Sequence, residues 1–174
     1  VYGHKEEMPI GENTEKKPIN PYGKTKLQDE DLFKKYSNLG TSIIGLRYFN
    51  IFGEGQTLDY SGVITRFLNR MKESKPPIIF GDGSQTRDFI FVGDIVKANL
   101  MAMESKSSNS LINIGSGKAI SILQLANMII EFSDYDFQPI FEKPLGGDVQ
   151  KSHADITLAK KLLRWEPKME LKTW

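Results

Sequence analysis

The sequence predicts an α/β chain with parallel strands. Two observations carry that reading: short apolar segments rich in β-branched residues alternate with segments whose apolar residues recur at three- and four-residue steps, and turn formers stand at the junctions. A third observation bounds the class. The 174 residues contain no cysteine, 26% are charged and the formal net charge is +1, which excludes disulfide frameworks, thiolate nucleophiles and thiolate metal sites. The near-neutral balance gives no broad electrostatic reason for nucleic acid, and no apolar run approaches the roughly 20 residues of a membrane span. No basic-then-apolar segment resembles a signal peptide, so a cytoplasmic, small-molecule role is the expectation.

Residues 4–19 are polar, carry Pro9 and Pro18 and show no period, which predicts a surface loop. Asn20-Pro21 then places a capping side chain before a proline at the first helical position. Leu27, Leu32, Phe33 and Tyr36 follow at helical steps, so a helix ends near Gly40. The apolar run 41–49 reads as a buried parallel strand. After a loop over 50–61, Val63, Ile64, Phe67, Leu68 and Met71 make one face of a helix over 62–72. A short strand Ile78–Phe80, a turn at Gly81-Asp82-Gly83 and a strand over 87–92 come next, and Asp94 is expected to cap a helix carrying Ile95, Val96, Leu100 and Met103. Residues 111–114 read as a strand, Gly115-Ser116-Gly117 as a turn, and Ser121 as the cap of a helix with Leu123, Leu125, Ala126, Met128 and Ile129. A strand over 138–141, a turn-rich stretch over 144–148 and a last helix over 156–163 complete the pattern.

The first 50 residues do not supply the several strands of a doubly wound sheet, so the chain reads as the second half of such a fold. It opens Val1-Tyr2-Gly3 without an initiator methionine and stops at Trp174 where an apolar pattern restarts. The expectation is a piece of a longer protein.

Tyr22 and Lys26 stand four apart on the first predicted helix, so both side chains project from one face. An ammonium beside a phenol favours the phenolate, which makes such a tyrosine a general base near neutral pH. Lysine is abundant here and tyrosine occurs six times, so the pair gains its specificity from its surroundings. Val1-Tyr2-Gly3, then Asn20-Pro21-Tyr22-Gly23-Lys24-Thr25-Lys26, then Leu46-Arg47-Tyr48-Phe49-Asn50, then Gly81-Asp82-Gly83-Ser84-Gln85-Thr86-Arg87-Asp88-Phe89-Ile90 follow in order. This series resembles the extended short-chain dehydrogenase/reductase family, and within it the NAD-dependent nucleotide-sugar epimerases and dehydratases, UDP-glucose 4-epimerases most of all.

The resemblance implies the C-terminal part of a Rossmann-type doubly wound parallel sheet joined to a smaller α/β substrate-binding domain. Residues 1–60 would belong to the NAD-binding domain and residues 61–174 mainly to the substrate-binding domain, with segments over about 88–115 returning to the first sheet. It implies Tyr22 as acid/base on the sugar hydroxyl and Lys26 on the nicotinamide ribose, with the backbone of Phe49 near the nicotinamide. On the substrate side it implies Asn50, Arg87 and the helix start at Gly62 and Val63 for the diphosphate, Ile78 and Phe80 about the uracil ring, and Asp148 in the late loop. Relatives commonly read Arg-Pro-Gly-Asp in that loop where this chain has Leu145-Gly146-Gly147-Asp148, which leaves one phosphate cation missing; Lys143 is a candidate substitute.

The glycine-rich phosphate turn of such proteins is absent from the sequence, and the spacing of Gly81, Gly83, Gly115 and Gly117 suits turns instead. His4 and His153 have no metal-ligand spacing, so no metal site is expected. The implied activity of the intact protein is C4 epimerisation of a UDP-hexose through a transient 4-keto sugar, with NAD as cofactor. The alternatives are a nucleotide-sugar 4,6-dehydratase, a UDP-glucuronate decarboxylase, or, for these residues alone, an inactive nucleotide-sugar-binding module. Relatives pair through the tyrosine-bearing helix, so a homodimer with Leu32, Phe33 and Tyr36 at the contact is expected.

Overall fold

A computed structural model describes residues 1–56, 62–133 and 135–174. The first helix, α1 (Pro21–Asn38), starts as its sequence predicts: the Asn20 side chain accepts the Gly23 N–H at 2.7 Å, and Pro21 occupies the first turn, where no N–H is needed. Ahead of it, residues 4–19 form no regular element beyond one bridge from Ile10 to Ala154. Gly3 fixes the entry to this loop. It adopts φ +72°, and a Cβ there would lie 1.9 Å from the Lys17 carbonyl oxygen, so only glycine fits.

Parallel pairing dominates the strands. β1 (Ile44–Tyr48) pairs with β5 (Ser110–Ile114), β2 (Asn50–Phe52) with β4 (Thr86–Phe91), and β3 (Ile78–Phe80) with β7 (Ile140–Glu142). The exception is β6 (Ala119–Ser121), antiparallel to β4. Between them run α2 (Val63–Lys72), α3 (Val92–Glu104), α4 (Ile122–Glu131) and α5 (Thr157–Leu163), and a short 3-10 turn lies at Leu171–Thr173. The capping box at Ser121 and Gln124 forms in full.

Strand β4 divides the core. Its side chains alternate faces, so Phe89 joins Phe52, Ile64, Phe67, Ile79 and Leu125 on one side, while Ile90 joins Ile95, Ile112, Ile114 and Trp165 on the other. Buried carboxylates tie distant segments to this strand and to α3. Asp88, wholly buried, accepts the Ser116 N–H at 2.6 Å, the Ser116 hydroxyl at 2.7 Å, the Gly117 N–H at 3.1 Å and the Ala154 N–H at 3.0 Å. Gly115 permits this approach, since a Cβ there would stand 2.8 Å from the Asp88 carboxylate and 2.6 Å from the Ala154 methyl.

Three expectations are corrected. Asp94 does not cap α3: the helix begins at Val92, and the buried Asp94 carboxylate accepts the N–H groups of Lys168 and Met169, both at 2.9 Å. The predicted strand over 41–49 is β1, which is half-buried because β5 is its one partner among the described residues, and β2 follows it after a single residue. Strand β7 lies later than 138–141 and is exposed along its length. On α1, which the sequence offered as a contact for a second copy, Leu32 and Tyr36 are exposed, and Gly23 and Glu30 are the residues that helix buries. Residues 57–61 of the predicted loop lie outside the described residues.

Candidate functional site

A cleft of about 700 Å³ opens at the carboxyl end of β1 and the start of β2, between α1 and the loop that carries Asp148. Crevices at the carboxyl ends of parallel strands are the usual ligand sites of α/β sheets. The cleft gathers Tyr22, Lys26, Phe49, Asn50, Arg87 and Asp148, residues scattered through the sequence.

Its floor is a polar network. The Arg47 guanidinium meets both Glu30 carboxylate oxygens, at 2.6 and 2.9 Å, and donates to the Tyr2 hydroxyl at 2.7 Å and the Glu12 carbonyl at 3.0 Å. Tyr2 in turn donates to the buried Asn113 at 2.7 Å. Burial lifts the Tyr2 phenol above its ordinary pKa, against the pull of the Arg47 charge. Burial also works against the Glu30 charge, but the paired Arg47 guanidinium, with help from Lys16, outweighs it and holds that carboxyl below the usual range. Because Glu30 lies one turn beyond Lys26, this pair locks α1 against β1 and sets where Tyr22 and Lys26 stand.

Tyr22 is 72% exposed, open to a ligand in the cleft. The Lys26 ammonium lies 5.9 Å from the centre of its ring and donates to Asp29 at 2.8 Å. The hydrogen bond and charge of Asp29 raise the Lys26 pKa, so the ammonium stays charged into a more alkaline range than usual.

Arg87, also in the lining of the cleft, pairs with Asp148 and donates to the Thr86 carbonyl at 2.8 Å. The Phe49 N–H is taken up by the Ile114 carbonyl at 2.9 Å, which removes that amide from any contact with a ligand. Asn50 is exposed at the rim.

Gly62, Val63, Ile78 and Phe80 do not line this cleft. Gly62 caps α2 without a side-chain bond, and Ile78 and Phe80 are half-buried on β3. The cleft contains groups that sequence reasoning missed: Asp29, Glu30, Arg47, Lys151 and Tyr2. For Asp29 and Glu30 a signal existed, since they stand three and four residues beyond Lys26. Tyr2 and Arg47 lie inside two of the ordered motifs, but their contacts, like the place of Lys151, are non-local and no spacing gives them a partner.

As a site for a dinucleotide the chain fits at one end. Tyr22, Lys26 and Phe49 share the cleft, whereas the turn glycines serve packing: a Cβ at Gly83 would meet Leu123 at 2.9 Å, and one at Gly117 would meet Ile156 at 3.2 Å.

The sequence profile of the NAD dependent epimerase/dehydratase family matches residues 1–115. A candidate UDP-glucose 4-epimerase of Methanocaldococcus jannaschii is 41% identical over 174 residues, covering 99% of this chain and 56% of that protein. The crystal structure of the UDP-glucose 4-epimerase of Thermotoga maritima with UDP-glucose superposes with a TM-score of 0.93 at 38% identity, over 98% of this chain and 56% of that one. The UDP-glucuronic acid 4-epimerase of Bacillus cereus, in complex with UDP-glucuronic acid and NAD, gives a TM-score of 0.92 at 36% identity, over 99% of this chain and 55% of that one. The chain therefore spans about half the length of the relatives it matches.

Proposed function

Because the chain belongs to the NAD dependent epimerase/dehydratase family, we propose that the intact protein epimerises C4 of a UDP-hexose through a transient 4-keto sugar. The observation that supports this reading is the cleft itself, whose lining includes Tyr22, Lys26, Asn50 and Arg87 together. NAD, when bound, supplies the hydride acceptor and donor at C4. Tyr22 takes and returns the proton of the sugar 4-hydroxyl at its phenolic oxygen. Lys26 holds a positive charge beside that phenol and binds the nicotinamide ribose. Arg87 and Asn50 hold the diphosphate, and Asp148 orients the Arg87 fork.

Gly62, Val63, Ile78 and Phe80 belong in this reading to the nucleotide end of the ligand, beyond the present cleft. Residues 1–60 form the cofactor side and residues 61–174 the substrate side, with β4 and β5 returning to pair with β2 and β1. Exposed Leu32 and Tyr36, beside half-buried Phe33 on α1, suit contact with a second copy of the chain. No described helix is long and apolar enough to cross a membrane, in keeping with a proposed cytoplasmic setting.

Tyr22→Phe in the intact protein should lower turnover of UDP-glucose by about 10²- to 10⁴-fold while leaving UDP binding in place. Unaltered turnover would remove Tyr22 from the reaction. Product analysis with UDP-glucose and UDP-glucuronic acid separates epimerisation from dehydration and decarboxylation. Micromolar NAD⁺ binding by the 174 residues alone would overturn the expectation that they form an inactive module.

A further inference from the structure

The side-chain charges of the cleft do not cancel. Among the described residues that line it, Lys26 pairs with Asp29, Arg47 with Glu30 and Arg87 with Asp148, one carboxylate for each cation. Lys151 also lines the cleft and is exposed. It has no carboxylate within ion-pair distance among the described residues.

The backbone around Lys151 is fixed. The Thr86 N–H donates to the Gln150 carbonyl at 2.8 Å, and the Ile10 N–H donates to the His153 carbonyl at 2.7 Å. The Ala154 N–H is held by Asp88 at 3.0 Å. Residue 151 thus leaves a pinned segment next to Arg87, the residue after Thr86. An exposed ammonium on this backbone lines the same cleft as a guanidinium whose charge Asp148 already balances. That arrangement suits an anion of more than one negative charge.

We propose that Lys151 is an anion-binding residue of this cleft, supplying to a diphosphate the positive charge that the Arg87–Asp148 pair lacks. The proposal rests on the nucleotide-sugar reading above. It gives Lys151, rather than Lys143, the place opened by Leu145: neither Lys143 nor Leu145 lines the cleft. A diphosphate can come from the UDP-sugar or from the pyrophosphate of NAD, and the backbone bond from Thr86, the residue before Arg87, to Gln150, the residue before Lys151, assigns it to the sugar nucleotide.

Calorimetric titration of the intact protein with UDP, UMP and NAD⁺ tests this. Lys151→Ala should weaken UDP about tenfold, weaken UMP less and leave NAD⁺ unchanged, and Lys151→Arg should recover most of the loss. Unchanged UDP affinity in Lys151→Ala, or a loss seen only in Lys143→Ala, overturns the proposal. A loss of NAD⁺ affinity with UDP retained moves the lysine to the dinucleotide and overturns the assignment to the sugar nucleotide. Equal weakening of both ligands marks loop damage and also overturns it. Failure of the wild-type protein to bind UDP is a separate result: it removes the nucleotide-sugar reading on which the proposal stands.

Discussion

Asp29 and Glu30 are consecutive residues of α1; Asp29 holds Lys26, and Glu30 holds Arg47 with Lys16 at 3.5 Å. Lys26 and Asp29 keep 50% and 59% of their side chains exposed, whereas Arg47 and Glu30 keep 8% and 7%. One residue step along a helix turns the side chain by about 100°, enough to carry it from solvent to the interior. The inner pair is bidentate and continues into Tyr2 and Asn113. The outer pair is a single contact between two exposed side chains. A buried pair has no water to replace a lost partner, so it positions the helix; an exposed pair can exchange its partner for a ligand.

The largest effect should follow from breaking the inner pair. Removing Arg47 by Arg47→Met leaves the Glu30 carboxylate buried without its guanidinium, which should cost about 3–5 kcal/mol by denaturant unfolding. Adding Glu30→Leu should recover much of that loss, because two apolar side chains need no partner. If Arg47→Met alone unfolds with the wild-type midpoint, the floor of the cleft does not fix α1 and the comparison fails.

Acid should reproduce part of this loss. The Glu30 pKa is held below its ordinary value in the folded chain, so its contribution is fully present above the unfolded value near about 4.3. It is lost as pH falls through the lower, folded value. Several exposed carboxylates shift the same way, so the measurement is a difference. Between neutral pH and about pH 3, the unfolding midpoint of the wild-type chain should fall further than that of Glu30→Gln. Parallel falls in the two proteins would remove Glu30 as the acid-sensitive group.

The same contrast explains what the sequence made legible. Features resting on neighbours were readable: Asn20-Pro21 at the start of α1, Ser121 with Gln124 at α4, the stripe of α2, and the spacing of Tyr22 and Lys26. Features resting on distant partners were not. Asp94 looked like a cap because its true partners, the N–H groups of Lys168 and Met169, lie more than seventy residues away. Arg87 and its partner Asp148 were each named toward the substrate, but their pairing across sixty-one residues was not readable. Strands β2 and β6 are three residues each, too short to show a period, and exist because β4 offers them an edge. The gathering of Tyr22, Arg87 and Lys151 around one cleft is a property of the strand order and could not be read from any local run.

The smallest effect should come from the outer pair, and its direction is informative. Asp29→Asn leaves Lys26 without its anion but leaves both side chains in water, so the unfolding midpoint should not move measurably. Affinity for NAD⁺ near neutral pH should change by about twofold at most, since Lys26 is charged with or without Asp29. The alkaline range is where the variant should differ. Asp29 raises the Lys26 pKa, so wild-type Lys26 keeps its proton to higher pH than the lysine of Asp29→Asn. If Lys26 binds the nicotinamide ribose as an ammonium, NAD⁺ affinity should begin to fall at a lower pH in the variant. Superimposable alkaline limbs would mean that Lys26 leaves Asp29 when the cofactor arrives, and that the outer pair exists only in the free protein.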